Sequence, residues 1–220
     1  MGSEVKLLVS GCSVTHGTEL YNKFMHPNNV KLSYSQHLAD KLGCEVLNVA
    51  MPAASNEYIF HSLIKELTNR SDIHSVIVMW TSHSRLYWKC NDRHYFVLGN
   101  FASSMIDPVK FSEGATARHE NRLNGSWFTG DTSEVVDKLS GVHKFFVTDY
   151  FDDSDARQKL KHYKATLTAL CQIKNIKLIN IDWDYIANIS DMTKSNRHPN
   201  AKEHEQIAEL IYNDYYEINK

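Results

Sequence analysis

Four short polar segments carry the side chains that could do covalent or acid–base chemistry. Gly11-Cys12-Ser13-Val14-Thr15-His16-Gly17 sets two nucleophile candidates, the Cys12 thiol and the Ser13 hydroxyl, between two glycines. A hydroxyl is a weak nucleophile until a nearby base takes its proton, so Ser13 needs a histidine from elsewhere. Asn48-Val49-Ala50-Met51-Pro52-Ala53-Ala54-Ser55-Asn56 adds amides and a serine, and Trp80-Thr81-Ser82-His83-Ser84-Arg85 adds hydroxyls, an imidazole and a guanidinium able to fork onto a carboxylate or phosphate. Far downstream, Asn196-Arg197-His198-Pro199-Asn200 offers a second imidazole. Each segment alone reads as a polar turn or helix cap, because Ser, Gly and Asn dominate such places. What gives them weight is the elements that precede them.

Val5 to Val9, Val46 to Ala50, Ser75 to Trp80 and Lys177 to Ile181 are short apolar runs suited to strands buried on both faces. Between them, Tyr34, Leu38 and Leu42 recur at helical spacing, as do Ile59, Phe60, Leu63, Ile64 and Leu67 behind the cap candidates Ser55 and Asn56. Strand alternating with helix demands right-handed crossovers and a parallel sheet, an α/β fold. The polar segments follow the strands, which puts them at the carboxyl edge where open α/β sheets form their sites.

Residues 86–132 break that rhythm. Leu86 to Cys90 and Arg93 to Leu98 flank Asn91-Asp92 as a hairpin, and a polar stretch with Trp127 and Phe128 follows; we read the region as an insertion. Trp88, Tyr95, Phe96, Trp127 and Phe128 suit a small satellite core better than a lid over the site. Val135, Leu139, Val142 and Phe146 return to helical spacing, and Leu160, Tyr163, Leu167, Leu170 and Cys171 repeat it after cap candidates Asp153 to Asp155. Ile207, Ala208, Ile211 and Tyr215 mark a terminal amphipathic helix opening after Pro199-Asn200.

A length of 220 residues fits a single domain, 1–220, carrying that insertion. With 24 basic and 26 acidic residues the net charge is −2, which gives no pull toward nucleic acid. No apolar run is long enough for a signal peptide or a spanning helix, and the four cysteines are scattered, so we expect a cytoplasmic chain with reduced thiols and no membrane partner. The twelve histidines form no His-Glu-x-x-His and no cluster at ligand spacing, so neither a metal nor any other cofactor is expected.

Residues 5–85 and 177–216 resemble the SGNH/GDSL hydrolases. Gly11 to Gly17 looks like their first block, Gly-Asp-Ser-x-Thr-x-Gly, with Cys12 in place of the Asp. Asn48 to Asn56 is similar to the second block with Ala50 and Ala53 for glycines, and His198-Pro199 is similar to the end of the last. The longer run through Glu19-Leu20 is closer still to a branch of SGNH-like proteins often encoded by bacteriophages. The resemblance implies a flavodoxin-like three-layer α/β/α sandwich with four to five parallel strands. It also implies an ester hydrolase acting on an acyl ester, such as an O-acetyl group, of a carbohydrate or small metabolite.

In that scheme Ser13 is the nucleophile and His198 its base, and the backbone N–H groups of Ser13 and Ala53 hold the oxyanion. The chain departs from the family at two further places. The third block lacks the usual Gly-x-Asn-Asp, leaving Ser82, His83 or Asn56 as a substitute donor, with Ser82 preferred. Ser195 stands where the triad acid belongs, three residues before His198. Asp191, Asp184, Asp182 or a backbone carbonyl then remains to orient the imidazole, Asp191 being the nearest carboxylate upstream. Asn56, His83, Arg85 and His16 are the expected substrate contacts. The alternative is a module that kept this scaffold for binding or structure and lost its chemistry; a nucleotide binder is disfavoured by a first loop too poor in glycine.

Overall fold

The computed structural model describes residues 5–21, 26–52, 54–83, 85–90, 93–97, 152–182, 185–186 and 198–217. Two compact units result, one built from 1–81 and 161–220 and the other from 82–160.

The first unit is the α/β part. Strands β1 (Lys6–Ser10), β2 (Glu45–Asn48), β3 (Ile73–Met79) and β6 (Lys177–Ile181) form a four-stranded sheet in the order β2-β1-β3-β6. Every pairing is parallel, Val9 standing opposite Ile77 and Ile77 opposite Ile179. Chain order 2-1-3 followed by the next parallel strand is the flavodoxin-like arrangement, and its switch point lies between β1 and β3.

Both faces of the sheet are covered, as continuous apolar strands require. Leu7, Val9, Ile77, Met79, Ile179 and Ile181 point one way and pack with Tyr34 and Leu38 of α2 (Tyr34–Leu42) and Ile207 and Ile211 of α5 (Ala201–Tyr212). Ser10 points the other way, its Oγ 2.9 Å from Ser62 Oγ on α3 (Asn56–Asn69). On that side Phe60 of α3 stacks on Tyr163 of α4 (Asp153–Ile173) at 4.7 Å between ring centroids. The result is a three-layer α/β/α sandwich.

The helix starts are set by side chains. Ser55 accepts from Tyr58 N–H at 3.3 Å, while Asn200 and Glu203 form a reciprocal capping box at 3.0 and 2.7 Å. At α4 the carboxylate that accepts from the first free N–H groups is Asp152, one residue before the expected caps, at 2.7 Å from Ser154 N and 3.2 Å from Asp155 N. A 3-10 turn at Pro27–Leu32 was not anticipated, and Asn29 is fully buried in it. The second unit contains the expected hairpin, β4 (Leu86–Cys90) antiparallel to β5 (Arg93–Val97). The expected helix around Val135 to Phe146, Trp127 and Phe128 lie outside the described residues. No helix among the described residues is long and apolar enough to cross a membrane.

A buried histidine ties the two helices of one layer together. His204 of α5 is fully buried and its Nδ1 accepts from Tyr34 N–H, at the start of α2, at 3.0 Å. Accepting there places the imidazole proton on Nε2, which has no hydrogen-bond partner among the described residues, and burial pushes the pKa down to about 3. An unfolded histidine titrates near 6.5, so above that pH the group is neutral in both states and its contribution is complete. As pH falls from about 6.5 toward 3 only the unfolded chain takes up the proton, and stability is lost at up to about 1.4 kcal/mol per pH unit. Urea midpoints at pH 7 and pH 5 should therefore differ less in His204→Asn, whose amide oxygen can replace the acceptor, than in the wild-type chain. Equal differences would mean that His204 titrates normally.

Candidate active site

The loop after β1 is shaped by a side chain that leaves no room. A Cβ on Gly11 would lie 2.1 Å from Thr15 Oγ1 and 2.8 Å from Thr15 Cβ, so glycine is required there for space rather than for an unusual φ. Thr15 occupies that gap because its hydroxyl is fixed from behind, 3.2 Å from Tyr34 Oη and 3.5 Å from Met79 Sδ. The chain then makes a single helical turn, α1 (Ser13–His16), which Gly17 ends in the left-handed region at φ 74°. Thr18 N–H closes the loop on Ser13 C=O at 3.0 Å.

This turn presents Ser13 at its first position, half-buried, at the carboxyl end of β1. Its hydroxyl reaches toward Cys12 Sγ at 4.0 Å, and Cys12 itself is 2% exposed, packed into the core as an apolar group. Asn48 holds the second segment against the first: its amide donates to Thr15 C=O and Ser35 Oγ, both at 2.8 Å, and its oxygen accepts from Ala50 N–H at 2.9 Å. Met51 N–H donates to Gly11 C=O at 3.2 Å, which lays the exit of β2 beside the Ser13 loop. Ala54 N–H closes a turn on Met51 C=O at 3.0 Å; Ala53, between them, lies outside the described residues.

His198 stands two residues before the capping box of α5, which fixes where the chain enters that helix. Its Nδ1 is 3.0 Å from a carboxylate, and that carboxylate is Glu19. Asp191 and Asp184 lie outside the described residues, and Asp182 is engaged instead by Lys164 at 2.7 Å. Glu19 has φ 75°, a left-handed conformation costing a residue with a Cβ about 1–2 kcal/mol. The loop holds it there from both sides: Thr18 N–H is bonded to Ser13 C=O, Leu20 N–H to Gly17 C=O at 3.1 Å, and Tyr21 N–H to the buried Asn29 Oδ1 at 2.9 Å. Glu19 belongs to the Gly-x-Glu-Leu run of the first motif, where its acidity was the available signal.

Two other candidates have duties of their own. Asn56 is buried and clamps the backbone of Thr81, donating to its C=O at 2.9 Å and accepting from its N–H at 2.8 Å. This pins the exit of β3, where Trp80 also donates to Asn180 Oδ1 at 2.9 Å. His16 is 7% exposed, not a surface residue; its Nδ1 lies 3.3 Å from Thr18 Oγ1, and desolvation pushes its pKa down to about 4. It is a neutral side chain within the wall of the loop.

Ser82, His83 and Arg85 belong to the second unit. Arg85 N–H donates to Ser82 C=O at 3.2 Å, making a turn, and His83 Nε2 lies 2.6 Å from Asp153 Oδ1. Arg157 donates to the other Asp153 oxygen at 2.6 Å, and together Arg157 and His83 hold that carboxyl below its ordinary range. The His83 imidazole is thus part of an ion-pair cluster at the start of α4.

Neither a protein-family model nor a curated protein sequence matches this chain. Among solved structures it is similar to a psychrotrophic esterase from Pseudoalteromonas sp., at 13% identity over 98% of this chain and 99% of that one, with a TM-score of 0.42. It is also similar to a lipase/acylhydrolase from Enterococcus faecalis, at 15% identity over 96% and 94% of the two chains and a TM-score of 0.41. A member of the lipolytic protein G-D-S-L family from Veillonella parvula gives 10% identity over 97% and 98%, with a TM-score of 0.36.

The packing at Gly11 is open to a direct test. Gly11→Ala should lower stability by about 1–3 kcal/mol, the usual cost of overpacking, and Thr15→Ala in the same chain should restore part of it. Urea unfolding of the two single variants and the double variant measures the coupling, and a neutral Gly11→Ala would show that Thr15 is not seated there.

Proposed function

We propose that this chain is a serine ester hydrolase of the SGNH type, acting on an acyl ester of a carbohydrate or small metabolite, an O-acetyl group being the leading candidate. The observation that carries the reading is that one loop presents Ser13 at the end of β1 and, six residues on, supplies the carboxylate bonded to His198. Nucleophile and base are thereby referred to the same rigid turn. A carboxylate accepts only, so the His198 proton sits on Nδ1 and the lone pair on Nε2 is the basic atom.

The reaction follows the two-step course of activated serines. His198 Nε2 takes the Ser13 proton as Oγ bonds to the ester carbon. The carbonyl π electrons move onto oxygen, and the oxyanion is met by the backbone N–H groups of Ser13 and Ala53. Collapse breaks the bond to the alcohol oxygen, which leaves with the proton from His198. Water then repeats the sequence on the acyl-enzyme, giving the acid and free Ser13. Ala in place of Gly at position 53 still provides an N–H. A missing third donor would lower the rate by about 10²–10³-fold, which sets a modest rate as the expectation.

Steady-state assays with p-nitrophenyl acetate and butyrate, paired with fluorophosphonate labelling, test this. Turnover and label are expected in the wild type and in Cys12→Ala, with a drop on the order of 10³-fold or more in both Ser13→Ala and His198→Ala. Turnover that survives Ser13→Ala but not Cys12→Ala would move the nucleophile to the thiol. A folded wild type with neither label nor turnover on these or on acetylated sugars would favour a binding module.

A further inference from the structure

Resting on the Ser13–His198 reading, we propose that Glu19 is the positioning residue of His198, a carboxylate carried on the nucleophile's own loop instead of on the segment before the histidine. Three observations converge on it. Its Oε2 is 3.0 Å from His198 Nδ1, the ring nitrogen that an orienting acid must hold if Nε2 is to face the serine. Its backbone is left-handed at φ 75° although it carries a Cβ. Asparagine, aspartate and above all glycine take that conformation at lower cost, so glutamate stands here where the backbone favours another residue. Backbone strain of this kind clusters at functional sites. Finally, the flanking backbone hydrogen bonds at Thr18, Leu20 and Tyr21 hold the Glu19 backbone in the conformation from which its side chain reaches His198.

The arrangement differs in kind from an acid lying next to the histidine in sequence. Here the carboxylate reports the position of Ser13 to His198 through six residues of a loop that Gly11, Thr15 and Asn48 hold rigid. The pair is partly open to water, with side-chain exposures of 26% for His198 and 59% for Glu19. Screening by solvent makes the orienting effect smaller than that of a buried acid.

The experiment compares wild type with Glu19→Gly, Glu19→Gln and Glu19→Asp, reading melting temperature, kcat and KM on p-nitrophenyl acetate, and the imidazole tautomer by long-range proton–nitrogen spectra. Glu19→Gly should melt no lower than the wild type, since glycine takes φ 75° without strain, while kcat falls roughly 10–10³-fold with KM little changed. Glu19→Gln should fall comparably, and Glu19→Asp should recover part of the loss. The His198 proton should sit on Nδ1 in the wild type and move to Nε2 in Glu19→Gly. A tautomer unchanged in folded Glu19→Gly, or an unchanged kcat beside a Ser13-dependent wild type, overturns the proposal. Turnover that survives Ser13→Ala overturns the Ser13–His198 reading instead, and the tautomer still decides the Glu19 contact.

Discussion

Much of the first unit is organised around the contact between Thr15 and the bare Cα of Gly11. A hydroxyl 2.1 Å from where a Cβ would stand allows the chain to turn directly out of β1 into a helical turn, over the side chain of Met79 in the neighbouring strand. That tight exit leads straight into the helical turn whose first residue is Ser13. The same threonine is locked by Tyr34, so α2 and the Ser13 loop are positioned by one hydroxyl. Backbone carbonyls of the loop are then used by its neighbours, Thr15 by Asn48 and Gly11 by Met51, and β2 is drawn in alongside.

A second consequence is economy in the polar groups. Asn48, Asn56 and Asn29 are amides that bond backbone atoms, Asn48 and Asn56 at the exits of β2 and β3 and Asn29 beside the Ser13 loop, with Asn48 donating also to the Ser35 hydroxyl. Buried backbone groups must be paired, and a side-chain amide with one donor side and one acceptor side does this wherever chain direction changes. Asn56 is the clearest case, because it serves the N–H and the C=O of the same residue, Thr81. The residue is thereby spent on scaffolding the exit of β3.

The histidines separate by environment in the same way. His204 and His16 are buried and held neutral by desolvation, which makes them a source of acid sensitivity, and His204 serves as the acceptor for Tyr34 N–H. His83 is drawn into an ion-pair cluster with Asp153 and Arg157. His198 differs from all three in combining partial exposure with a carboxylate on Nδ1, the pattern that chemistry at Nε2 requires.

Sequence alone determined the alternation of buried strands with amphipathic helices, because period and apolarity are local properties of the chain. From it followed the parallel sheet, the hairpin at Leu86 to Val97 and the placing of Ser13 and His198 after strands of one sheet. Capping was legible to within a residue at Ser55 and Asn200, since a cap acts on its own first turn, and missed by one at Asp152, where three further acidic or polar residues compete. Tertiary structure decided what depends on approach between distant residues. It gave Gly11 its steric reason, buried His16, turned Asn56 to the backbone of Thr81, and brought Glu19 to His198 across 179 positions of sequence. An acid near the histidine in sequence is a reasonable expectation, but hydrogen bonds are made in space, and only the folded loop shows which carboxylate arrives.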